Sequence, residues 1–145
     1  MVPSVIECRT MTGPERVDAY TLMRQFRSDE AALGDALALF VDRPDYGFVW
    51  LAYADGIPVA CVSASFGIST ETGGLFAELR DLWVVPERRR QGIGSALLAT
   101  LHGRLDQLGV TRIDAPVPHD PAPSGLLSAL GYHDLNETVF SLRRR

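Results

Sequence analysis

Cysteine is scarce in this sequence: Cys8 and Cys61 are the only two, far apart and each among apolar neighbours. That pattern speaks against a disulfide scaffold or a cysteine metal site, and the expectation is two buried free thiols in a reducing cytoplasm. His102, His119 and His133 are scattered without metal-ligand spacing, so no metal is expected. No apolar run reaches the length of a membrane span, and the opening MVPSVIECRT has no signal-peptide core. A cytoplasmic protein with no membrane partner is therefore expected. An excess of positive charge is missing as well. The net charge is −4, which argues against nucleic acid as the main partner. Arg88-Arg89-Arg90 and Arg143-Arg144-Arg145 are thus local cationic clusters on an acidic background. Repeats and linker-like stretches are also lacking, so residues 1–145 read as one domain.

What is present reads as alternating elements. VIECRT alternates apolar and polar residues as a short strand does. Thr12 and Glu15 have capping-box spacing with Pro14 in the first turn, and Val17, Tyr20, Met23 and Phe26 form one face of the helix that follows. A second helix from about Ser28 carries Leu33, Ala36, Leu37, Phe40 and Val41 as its stripe and ends at RPDYG. FVWLAYA and IPVACVSASFG flank Asp55-Gly56, a strong hairpin signal, and STETGG turns the chain into a third strand, LFAELRDLWVV. A long helix from about Gln91 to Leu108 shows Ile93, Leu97, Leu101, Leu105 and Leu108 at spacings of four and three, with Gly109 at its C-cap. VTRIDA is a strand, PVPHDPAPSG a proline-rich loop, LLSAL a short helix closed by Gly131, and YHDLNETVFSLRR a final strand pair. The fold class is mixed α+β: one mixed, mostly antiparallel sheet flanked by about four helices.

The segment RDLWVVPERRRQGIGSALLATL carries the clearest chemical signal. Backbone N–H groups at a helix start are unpaired and partly positive, so they accept an anion. Gly92 and Gly94 let a pyrophosphate approach the main chain, and Arg88, Arg89 and Arg90 add charge beside it. A P-loop would need a Gly-Lys-Ser/Thr ending, and no lysine follows Gly94. A dinucleotide fingerprint gains from Gly92-x-Gly94 and from Asp114 twenty residues later. It loses because Leu97 replaces the third glycine, because PERRRQ separates strand from glycine, and because the preceding strands form a meander.

LWVVPERRRQGIGSALL resembles the acetyl-CoA-binding motif of the GNAT superfamily of N-acetyltransferases, in which an apolar strand with Val-x-Pro-Glu leads into Arg/Gln-x-x-Gly-x-Gly/Ala. Val84, Pro86, Glu87, Arg89, Gly92 and Gly94 match it. The element order and LLSALGY, which resembles the family's YEKLGF segment, extend the likeness to essentially the whole chain. The resemblance implies that backbone groups from Arg89 through Arg90, Gln91, Gly92, Ile93, Gly94 and Ser95 hold the pyrophosphate of coenzyme A. It implies too that Leu82, Trp83 and Val84 splay from VTRIDA, pair with the pantetheine arm and supply an oxyanion donor. Its cosubstrate would be acetyl-CoA and its partner a small-molecule or peptide amine acceptor, and a homodimer is among the assemblies the family allows.

Acyl transfer to an amine needs a proton acceptor. Asp81, directly before LWV, is the first candidate and Glu78 the second. Strand alternation puts them on opposite faces unless a bulge intervenes. The tyrosine that many members place in the YEKLGF segment falls on Leu127 here, and His119-Asp120 stand where an upstream asparagine is common. Tyr132 reads as core, with Ser124, Ser128 and His133 as weak substitutes for an acid. Trp50 and Trp83 read as buried strand aromatics, Trp83 bordering the acceptor groove. Leu127 motivates an alternative of another class: a noncatalytic acyl-CoA-binding or sensing module.

Overall fold

The computed structural model describes residues 5–117 and 124–144. Along the chain run β1 (Ile6–Thr10), α1 (Arg16–Met23), α2 (Glu30–Asp42), β2 (Gly47–Ala54), β3 (Ile57–Ser69), β4 (Gly74–Val84), α3 (Ile93–Gln107), β5 (Arg112–Asp114) and α4 (Ser124–Ala129). The strands form one sheet in the order β1-β2-β3-β4-β5. The first four pair antiparallel, β2 with β3 and β3 with β4 across tight turns and β1 with β2 after the passage through α1 and α2. At the first turn Asp55 and Gly56 both adopt positive φ, 52° and 82°, the twist a two-residue hairpin needs. β5 pairs parallel with β4 because a helical crossover, α3, separates them.

The central strand shows the layers. Every residue of β2 is buried. The Trp50 indole N–H donates to Thr100 Oγ1 on α3 at 3.0 Å, while the Tyr53 hydroxyl donates to Asp18 Oδ2 on α1 at 2.7 Å. These side chains leave opposite faces of the strand, so α3 covers one face of the sheet and α1 the other. Leu97, Leu98, Leu101 and Leu105 of α3 are fully buried, each burial stabilising by about 1.5–3 kcal/mol relative to exposure.

Three expectations need correction. On α1 the buried residues are Ala19, Leu22 and Met23, whereas Val17 is 71% exposed. The Tyr53 hydroxyl explains this, because Asp18 must face β2 to receive it, and that rotates Val17 outward. Two stripe residues also lie off the core: Ala36 on α2 is exposed, and Leu108, just past the end of α3, is 38% exposed. The final strand pair does not form, since residues 133–144 carry no strand and are exposed throughout. Asp134 Oδ1 accepts the Asn136 N–H at 2.7 Å in a local turn, and an isolated strand pair without a covering face is marginal in water. Cys61 is buried as expected, Cys8 only half-buried, and both are free.

Candidate active site

The site begins where a ladder stops. β4 and β5 pair at Phe76 with Arg112, Ala77 with Ile113 and Glu78 with Asp114, and there the pairing ends. Ala115 and Pro116 follow β5, and a proline offers no N–H to extend a ladder. From Leu79 to Val84 the outer edge of β4 therefore meets no strand among the described residues, and the sheet opens between the two strands.

The inner edge of β4 carries a bulge at the same level. Cys61 lies opposite Trp83 and Ser63 opposite Arg80, so Val62 alone faces both Asp81 and Leu82. Asp81 takes up the extra residue with φ of 59°, a left-handed conformation rare outside glycine. The extra residue inverts the alternation beyond it and places Glu78, Arg80, Asp81 and Trp83 on the face covered by α1. The two carboxylates that regular alternation would have separated thus share one face.

Asp81 is firmly held. Its Oδ1 accepts from the Arg27 guanidinium, with Nε at 3.1 Å and a closer contact from Nη2. The buried Ser63 hydroxyl lies 2.8 Å from Asp81 Oδ2 and 3.2 Å from the Arg80 carbonyl, with one proton to donate between them. Glu78 instead pairs with Arg80 at 3.1 Å, with both side chains largely in solvent. Trp83 donates its indole N–H to Gln25 Oε1 at 3.2 Å and packs on Phe26 at 5.0 Å between ring centroids. Arg89 adds a contact that local pattern could not reveal. Its guanidinium lies 4.5 Å from the Trp83 ring centroid, and its Nε donates to the Val84 carbonyl at 2.8 Å.

Beyond the strand, Pro86–Arg88 form a single 3-10 turn, which accounts for the long spacer before the glycines. Arg90 (φ 63°) and Gly92 (φ 78°) then bend the chain on either side of Gln91, and Gly92 caps α3 in a left-handed conformation. Ala96 is the first helix residue whose N–H bonds back, to the Gly92 carbonyl at 3.0 Å. The N–H groups of Ile93, Gly94 and Ser95 ahead of it have no acceptor within the helix and sit at the positive end of its dipole. Gly94 differs from Gly92. A Cβ there would lie 3.5 Å from Leu126 Cδ2 and 3.7 Å from Val84 Cγ2, ordinary van der Waals contact, so the packing of α3 beside α4 and β4 would admit one.

At α4, Leu127 is 8% exposed, and its carbonyl accepts the Tyr132 N–H at 3.0 Å. Tyr132 is half-buried against the core, as expected, with its hydroxyl 2.6 Å from His102 Nε2. Burial pushes the Tyr132 phenol up to about 12 and lowers His102 from its ordinary value, with Asp106 opposing the latter shift. Both groups are therefore uncharged at neutral pH, and the tautomer of the imidazole sets which of the two donates. Ser128 and His133 are exposed, whereas His119, Asp120 and the Ser124 side chain lie outside the described residues. Among the described residues no cluster of metal-ligating side chains forms. Clefts of about 310 and 270 Å³ lie elsewhere, and neither is lined by a residue of the open stretch of β4.

An open strand edge beside a glycine turn at a helix start is thus built from one continuous segment. Residues 11–132 match the model of the acetyltransferase (GNAT) family. The chain belongs to that family. No curated protein is similar enough in sequence to match it. Three solved structures show how widely this GNAT fold is shared at low identity. An integron cassette protein from the mobile metagenome of Cole Harbour Salt Marsh is 24% identical with a TM-score of 0.83, over 94% of this chain and 89% of its own. Aminoglycoside N-acetyltransferase AAC(6')-Iy in complex with CoA is 19% identical with a TM-score of 0.81, over the whole of both chains. A predicted acetyltransferase with acetyl-CoA from Clostridium acetobutylicum is 12% identical with a TM-score of 0.78, over 95% of this chain and 96% of its own. These likenesses concern the fold. No helix among the described residues of this GNAT protein is long and apolar enough to cross a membrane.

Proposed function

We propose that this protein transfers an acetyl group from acetyl-CoA to a primary amine on a small molecule or peptide, directly, within a ternary complex. The opening of β4 beside the Gly92 turn carries this reading. The N–H groups of Ile93, Gly94 and Ser95, which have no acceptor within the helix, suit a pyrophosphate, with the backbone from Arg89 to Gly92 completing the loop around it. The free edge at Leu82, Trp83 and Val84 offers main-chain groups to an extended amide-bearing arm, and one of its N–H groups serves as the oxyanion donor. Arg89 holds the Val84 carbonyl and turns toward phosphate when that carbonyl takes another partner.

Acetyl-CoA supplies an activated acyl group on a thiol that departs as thiolate. Asp81 takes the proton the amine gives up, directly or through water, while a C–N bond forms and the C–S bond breaks. Arg27 and Ser63 fix its carboxylate, and Glu78 on the same face is the second candidate. A thiol of pKa about 8.5 leaves without a strong acid beside it, so no residue need occupy that role. The test is steady-state release of free thiol over a broad amine panel. Turnover with an amine supports the reading. Tight binding of acetyl-CoA without transfer to any amine would replace it with a noncatalytic acyl-CoA-binding module, which buried Leu127 favours.

A further inference from the structure

The stretch from Arg24 to Asp29 joins α1 to α2 and touches the open part of β4. Gln25 accepts from the Trp83 indole, Phe26 packs on the same ring, and Arg27 reaches Asp81. Three ion pairs mark this stretch and the strand beside it: Arg24 with Glu30 at 2.9 Å, Arg80 with Glu78 at 3.1 Å, and Arg27 with Asp81. The carboxylate of Asp29 caps α2, its Oδ1 accepting the Ala32 N–H at 3.0 Å. Each carboxylate here already has a partner. A polycationic amine therefore finds none free to receive a second ammonium.

Arg27 is the cation that bears on the proposed base. Its Nε and Nη2 both go to Asp81 Oδ1, and its Nη1 has no hydrogen-bond acceptor among the described residues. The Nη1–Nη2 edge of the guanidinium is thus left for a second carboxylate, in the planar, two-pronged geometry that arginine offers. More than half of the side chain is exposed, so a ligand can reach that edge. A guanidinium held against the base repels an approaching ammonium, unless the acceptor brings a carboxylate of its own for the free edge. The same neighbour favours the neutral amine, the form that attacks a thioester. Trp83 and Phe26, both half-buried, supply an apolar patch beside Asp81.

We infer that the acceptor is a free α-amino acid with an apolar or aromatic side chain. Its amine faces Asp81, its carboxylate takes the free edge of Arg27, and its side chain lies on Trp83 and Phe26. The inference rests on the acetyl-transfer reading above and narrows its acceptor. The amine nitrogen gains the acetyl group as the C–S bond breaks, its proton passes to Asp81, and the carboxylate is unchanged. Thiol-release kinetics on free amino acids, each beside its amide and its decarboxylated amine, test it. The acid exceeds both in kcat/KM by about tenfold or more, as a charge-assisted contact implies. Arg27→Gln erases that margin through the KM of the acid, whereas a merely structural loss would lower acid and amide alike. Arg24→Gln, on the same stretch but paired with Glu30, keeps the margin. Amides or polyamines used as well as the acids, or a margin that survives Arg27→Gln, would overturn the inference. If no amine turns over, calorimetry of the CoA-saturated protein with N-acetyl amino acids and their amides decides apart from transfer. Binding of the acids alone, weakened about tenfold by Arg27→Gln, upholds the carboxylate site while the transfer reading fails. Equal binding of acid and amide, or none, overturns the site as well.

Discussion

Replacing Asp81 by asparagine separates proton acceptance from scaffolding, because the structure sets the two effects at different sizes. The substitution keeps the shape of the side chain and a partner for Ser63 but removes the charge facing Arg27. That ion pair is half in water, the Asp81 side chain being 18% and the Arg27 side chain 53% exposed. Discounted for that exposure, its loss destabilises by no more than about 1 kcal/mol. For a domain of this size the melting temperature then falls by about 2–5 °C. Loss of a general base, in contrast, lowers turnover by about 10²–10⁴, or roughly 3–5 kcal/mol in the barrier. Arg27→Gln is the control, since it breaks the same pair and leaves the carboxylate. Thermal melts and thiol-release kinetics on Asp81→Asn, Arg27→Gln and Glu78→Gln are the assay. The expected pattern is a similar small thermal shift in the first two, a large loss of kcat only in Asp81→Asn, and a mild effect of Glu78→Gln. Equal kinetic losses in Asp81→Asn and Arg27→Gln would refute the reasoning and make Asp81 a positioning residue. A dominant loss in Glu78→Gln would move the proton to Glu78.

Three further outcomes are expected. Acetyl-CoA at a hundredfold its dissociation constant adds about 2.7 kcal/mol to stability, seen as a rise in melting temperature that NAD does not produce. Gly92→Val, forced to φ of 78°, costs about 1–2 kcal/mol and abolishes that rise, whereas Gly94→Ala has van der Waals room and keeps its fold. Leu127→Tyr overpacks a buried site, lowers stability by about 1–3 kcal/mol and gains less than about tenfold in turnover, as melting and kinetics on one sample will show. The unfolded chain protonates His102 near pH 6.5 and the folded chain only at lower pH, because burial lowers that group in the fold. The unfolded state then holds more protons between those values, so stability falls as pH drops through 6.5. His102→Gln should flatten that part of a melting-temperature profile, and an unchanged slope would assign it to another group.

The sequence by itself determined the elements whose cause is local. Asp55-Gly56 forms its hairpin because two positive φ angles suit those residues, and Thr12 with Glu15 starts the first helix through hydrogen bonds three residues apart. Gly92-x-Gly94 after an apolar strand marked the turn that opens α3, where the first N–H groups have no acceptor within the helix whatever surrounds them. The tertiary structure decided everything that depends on residues far apart in the chain. The bulge that brings Glu78 and Asp81 to one face arises from the register of β3 against β4. The partner of Asp81 stands 54 residues away, after α1, and no periodicity encodes it. The rotation of α1 follows from a hydroxyl on β2 that needed Asp18. The pattern of residues 133–144 spells a strand, yet a strand exists only where another edge donates and accepts, and among the described residues none pairs with it.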